Sequence, residues 1–264
     1  MNNEPTPNQQ ELDILNLISQ AVERSIKSIT FREAVRDTIY ECAPELSRNM
    51  PFMLQISETL KAARWVSEHM PLHKVYTHEN LRKLAITNAP DEGLYLEFGV
   101  WKAHWLNIMA AMKPVQFYGF DSFEGIPEDW SIYPKNHFSL GGFMPRVLEN
   151  VSLIKGWFDQ TLPPFLENHK EMVSFIHIDC DLYSSTKTIL DCLRPRLRVG
   201  TIIVLDDYFI EPGWDKAEFL AFNEFITFHK IGIEYMGYVS DTPSTAVAVK
   251  LTSVPKPDQS PEKG

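Results

Sequence analysis

Glycine is scarce in this chain, with 12 in 264 residues, and none stands before Gly93. The stretch before it therefore lacks the residue that tight turns and left-handed backbone favour, and helices are expected there. Cysteine is scarcer still. Cys42, Cys180 and Cys192 are too few and too scattered for a disulfide framework or a zinc knuckle, so a reducing, cytoplasmic setting is expected. No run of eighteen apolar residues occurs, and the opening MNNEPTPNQQ is polar and proline-bearing, which argues against a membrane span and a signal peptide. Basic residues are in deficit, 25 Lys and Arg against 35 Asp and Glu for a formal charge of -10, and they form no stripe. Nucleic acid, whose phosphates require such a stripe, is excluded as a partner.

What is present divides by pattern. Residues 1–10 and the tail from Ser253 to Gly264 have the composition of disordered ends. From Glu11 the spacing is helical, with Leu12, Ile14, Leu15, Leu17, Ile18 and Val22 on one broad apolar face. Pro44 and Pro51 divide this region, which extends to about residue 90 and reads as a helical cap or an oligomerisation element, with a dimer expected.

From Gly93 the character changes. LYLEFGV, QFYGFD, VSLIKG, VSFIHID and TIIVLDD are short apolar runs, and the segments HWLNIMAAM, TLPPFLENH and SSTKTILDCLRPRL between several of them are helical. That alternation predicts a parallel sheet covered by helices. IEYMGYV and TAVAVKL follow with only five residues between them, which predicts an antiparallel hairpin closing the sheet edge. The expectation is a seven-stranded, Rossmann-like α/β domain over residues 91–252.

The acidic residues raise a question of their own. Asp179 and Asp181 end an apolar strand, Asp206 and Asp207 end another, Asp121 a third, and Glu97 lies near the end of the first. Taken singly, each aspartate reads as a turn residue or helix cap. Together they would converge at the carboxyl ends of a parallel sheet, where ligands bind, and adjacent like charges call for a cation. Asp121, about 20 residues beyond Gly99, has the position of a ribose-binding carboxylate.

EFGVWK, GFDSFEGIPEDW, LIKGWFDQTLP, FIHIDCDLYSSTKTIL and GTIIVLDDY, in this order, resemble the macrocin O-methyltransferase family over roughly Leu94 to Leu251. The resemblance implies the class I methyltransferase fold, S-adenosylmethionine as methyl donor, a magnesium ion, and a sugar hydroxyl as acceptor. It places the metal ligands on Asp179, Asp206 and Asp207. It places the donor against Glu97, Gly99, Asp121, Ser122 and Asp179, with the adenine near Trp157 and Phe158. Vicinal hydroxyls would chelate such an ion, which favours a sugar or diol over an isolated alcohol. For the proton acceptor the candidates are Asp179, Asp181 and His137, while His177 reads as a supporting or core residue. Leu182 stands where catechol-type relatives carry a lysine. Ala103, His104 and Trp105 stand where the family shows small residues after the first-strand turn. Two rivals remain from the sequence. A nicotinamide dehydrogenase would need a glycine-rich turn, and EFGVWKAHW has one glycine. A non-catalytic interaction module of the same fold would be expected to lose the metal carboxylates, which are all present.

Overall fold

The computed structural model describes residues 49–130, 133–209, 212–239 and 245–256. The amphipathic segment expected from Glu11 onward lies outside them. The chain divides into two units after Arg64, and of the first the described part is the opening of helix α1 (Met50–His69).

Among the described residues, the second unit is built on one eight-stranded sheet. In chain order its elements are β1 (Val75–Tyr76), α2 (His78–Asn88), β2 (Leu94–Phe98), α3 (His104–Met112), β3 (Phe117–Asp121) and β4 (Val151–Lys155). They continue with α4 (Phe158–Asn168), β5 (Val173–Ile178), α5 (Tyr183–Leu193), β6 (Ile202–Phe209), α6 (Glu218–Phe228), β7 (Gly232–Val239) and β8 (Thr245–Ser253). The order across the sheet is β1-β7-β8-β6-β5-β2-β3-β4. β2, β5 and β6 are buried along their whole length, which is why their sequences are apolar without alternation.

The neighbours of β2 run to β3 on one side and to β5 on the other, both parallel. Strand order reverses at that point, and a crevice opens at the carboxyl ends. β8 pairs antiparallel with both β6 and β7, as a returning hairpin strand does. The hairpin does not form the edge, however. β1 adds parallel to β7, with Val75 opposite Tyr238, and makes the eighth strand. Two residues carry no periodicity, so nothing in the sequence announced it.

The helices follow their local signals. Thr77 caps α2 by accepting from Asn80 N at 3.3 Å. α3 coincides with HWLNIMAAM, whereas α4 starts at Phe158, earlier than its apolar spacing suggests, and accommodates Pro163 and Pro164. α5 ends at Leu193, and Pro195 sits in the tight turn Arg194–Arg196 that follows.

Candidate active site

A cavity of about 820 Å³ opens over the ends of the parallel strands. Its lining includes Glu97, Gly99, Asp121, Ser122, Trp157, Phe158, Asp179, Asp181, Asp206 and Asp207. His137 is the exception among the residues expected at the site. Its exposed ring packs against Tyr133 and Phe138, with centroids 4.6 and 4.4 Å away, and it is not among the lining residues. The β3–β4 loop turns it toward solvent, so we do not retain it as a proton acceptor.

The first turn depends on Gly99, at φ +88. Trp101 and Ala103 follow in the same left-handed region, at φ 43 and 59, where side chains other than glycine are strained. Asp121 holds that turn. Its Oδ2 accepts from Val100 N and Trp101 N at 2.8 Å each, and its Oδ1 from Phe123 N at 2.6 Å. These amides occupy three of the roughly four acceptor positions of a carboxylate, leaving about one for a ligand. Ala103 is buried and precedes α3 without a side-chain cap, so the first amides of that helix face the turn. His104 is exposed, lines the cavity and packs edge-on against Trp105 at 4.8 Å.

On the other side of the crevice the carboxylates gather. One oxygen from each of Asp179, Asp206 and Asp207 lies within 4.8 Å of the others. Burial, together with Asp206 and Asp207 alongside, pushes the Asp179 carboxyl well above the ordinary carboxylate range. Burial likewise raises Asp181 to about 8. Burial would raise Asp206 too, but Arg82 and His177 outweigh it and hold that carboxyl well below the usual range. An oxygen-only set of this spacing, short of positive charge, fits a hard divalent cation.

Two buried groups complete the cluster, and the sequence reading missed both. Arg82 on α2 is fully buried and donates to Asp206 Oδ1. The same nitrogen lies 3.2 Å from His177 Nε2, while His177 Nδ1 lies 2.8 Å from Glu97 Oε1. Glu97, His177, Asp206 and Arg82 thus form one chain across three strands and a helix. Burial would lower His177, yet the carboxylates on either side hold it above its ordinary value. The second group, Glu218, opens α6 fully buried and accepts from Cys180 N at 3.3 Å and Asp207 N at 3.4 Å. Burial raises its carboxyl well above the usual range. A charged residue within a helical pattern reads as a solvated face, so only packing could reveal either role.

Comparisons with known proteins agree with this architecture. A family model described as a methyltransferase domain matches residues 96–208. A Streptomyces olivaceus protein, 8-demethyl-8-(2,3-dimethoxy-alpha-L-rhamnosyl)-tetracenomycin-C 4′-O-methyltransferase, is 24% identical over 241 residues, covering 78% of this chain and 84% of its own. Demethyldecarbamoylnovobiocin O-methyltransferase of Streptomyces niveus is 32% identical over 93 residues, 32% of this chain and 34% of its own. Among solved structures, the calicheamicin methyltransferase CalS11 superposes with a TM-score of 0.50 at 18% identity, over 93% of this chain and 94% of that one. The fold is the Rossmann-like class I methyltransferase fold.

Proposed function

We propose that this chain is a class I S-adenosylmethionine-dependent O-methyltransferase that methylates a hydroxyl of a sugar-like small molecule with a divalent ion, magnesium by preference, at Asp179, Asp206 and Asp207. One observation carries the proposal. Three carboxylate oxygens within 4.8 Å of one another open onto the same cavity as the Gly99 turn. The names of the two relatives support a hydroxyl as the methyl acceptor, and the first names a rhamnosyl group.

Adenosylmethionine would supply the electrophilic methyl, and the ion would make the acceptor hydroxyl more acidic. The protein's part is positional. The Gly99 turn and the free amides at the start of α3 would receive the donor's carboxylate. Glu97 Oε2 is buried without a hydrogen-bond partner among the described residues and would accept from the donor's ammonium. Asp121 and Ser122 would face the ribose, and half-buried Trp157 and Phe158 would cover the adenine. Asp179, Asp206 and Asp207 would hold the ion. Asp181, which lines the cavity, would accept the hydroxyl proton in its ionised form.

The test is calorimetric titration with S-adenosylhomocysteine, followed by methyl-transfer assays on rhamnosyl acceptors with and without EDTA. Donor-product binding that survives EDTA, with turnover that does not, is the expected pattern. Full turnover in excess EDTA would remove the ion, and absence of binding would remove the donor site.

A further inference from the structure

Arg82 lies outside the segment matched by the methyltransferase-domain model, yet its side chain reaches the centre of the carboxylate cluster. One terminal nitrogen serves Asp206 and His177; the other donates to the His78 carbonyl oxygen at 3.1 Å. Its guanidinium carbon stands 3.7 Å from the centre of the Trp105 ring, a cation–π contact that fixes the plane. A guanidinium keeps its proton in any protein environment, so a full positive charge stands permanently against one oxygen of Asp206.

We propose that Arg82 is a resident counter-cation of the metal site: it holds Asp206 and His177 in place before a divalent ion arrives, confines that ion to the oxygens of Asp179, Asp206 and Asp207, and lowers the site's affinity for it. The inference rests on the proposed reading of those three aspartates as ion ligands.

Among the described residues, two overlapping groups could hold a cation. The outer one is Asp179, Asp206 and Asp207; the inner one is Glu97, His177 and Asp179. Arg82 sits against His177, a member of the inner group, and a dication entering there would meet its charge. In the outer group Arg82 occupies Oδ1 of Asp206, which leaves Oδ2 for the ion. Three ionised carboxylates and one guanidinium leave two negative charges, which one divalent ion neutralises. Without the guanidinium the same ion would leave one negative charge over, and attraction for it would rise in a site partly shielded from water.

The probe is Mn²⁺ alone, followed by electron paramagnetic resonance of the free ion in titrations of the full chain. Arg82→Gln removes the charge and retains a donor for Asp206; Arg82→Lys retains the charge and loses the fork. Arg82→Gln is expected to bind its first Mn²⁺ at least tenfold more tightly than the natural protein, and Arg82→Lys within about threefold of it. If Arg82→Gln unfolds without metal, Mn²⁺ must restore its fold. Unchanged or weaker Mn²⁺ binding by Arg82→Gln, equal tightening by Arg82→Lys, or failure of Mn²⁺ to restore an unfolded Arg82→Gln overturns the proposal. Asp207→Asn in the natural background separates the underlying reading: it is expected to lose Mn²⁺ binding. Undiminished binding there would show that the three-aspartate site is wrong, whatever Arg82 does.

Discussion

A β-carbon built on Gly99 would stand 1.7 Å from the carbonyl oxygen of Asp179. The turn after β2 and the end of β5 are therefore packed backbone on backbone. Asp179 N donating to Phe98 O at 2.8 Å, and Gly99 N to Phe120 O at 3.0 Å, lock three strand ends together. The turn proposed for the donor cannot shift without moving an aspartate proposed for the ion. Gly99→Ala would add this clash to a left-handed strain of about 1–3 kcal/mol. We expect a lower thermal midpoint and at least tenfold weaker binding of S-adenosylhomocysteine. Calorimetry showing natural affinity in a folded Gly99→Ala protein would contradict the close approach.

Asp121 supports the same turn from the other side. Asp121→Asn replaces one accepting oxygen with a donor and leaves an amide of Val100, Trp101 or Phe123 unsatisfied, at about 1–3 kcal/mol. Relaxation of the strained Trp101 turn should weaken S-adenosylhomocysteine about tenfold or more. Tryptophan fluorescence provides a second readout, because the Trp101 indole is 42% exposed at the cavity. If neither changes, Asp121 does not hold the turn.

Glu218 predicts a stability effect away from the donor. It accepts from the amides of Cys180 and Asp207 and so ties the end of β5 to β6. Glu218→Leu strands two buried amides, at about 1–3 kcal/mol each. Glu218→Gln can still accept one of them and should lose about half as much. Urea denaturation of both variants decides this; equal losses would mean that burial volume, not hydrogen bonding, is what Glu218 supplies.

The pH dependence of the metal-free protein follows from Asp181, raised to about 8, and from Glu218 and Asp179, which move the same way. A carboxyl raised on folding binds more protons folded than unfolded, so its contribution is complete at acid pH. It is lost as pH rises from the ordinary carboxylate range through the folded value. His177, also raised, is lost in the same direction. Thermal midpoints of the metal-free protein should therefore fall between about pH 5 and pH 8. Added Mn²⁺ should flatten that slope, because a cation replaces the protons. A midpoint that rises over this range would show the cluster to be ionised and already compensated.

Several of these features were legible in the sequence. The buried parallel strands announce themselves as apolar runs such as TIIVLDD, since both faces are covered and no alternation is required. Position then does the rest: Asp121 ends β3 and Asp179 follows the last residue of β5, whereas Asp206 and Asp207, expected at a strand end, lie within β6, which continues to Phe209 beyond its last pairing with β5 at Leu205. Convergence on a single cavity follows from topology alone.

Tertiary structure decided which charges meet. Arg82 and Asp206 are far apart in the chain, and nothing local distinguishes Arg82 from the neighbouring Lys83, which is exposed. Burial of one and not the other comes from the docking of α2, with Arg82 turned toward His177 and Trp105. The same holds for β1, whose two residues gain strand geometry only from β7, and for His137, which a left-handed turn at Asn136 and Phe138 leaves in solvent. Periodicity records whether a residue faces the core, because burial selects residue type. It does not record which partner awaits a buried charge, because that partner is supplied by a different element and the choice leaves no trace in local spacing.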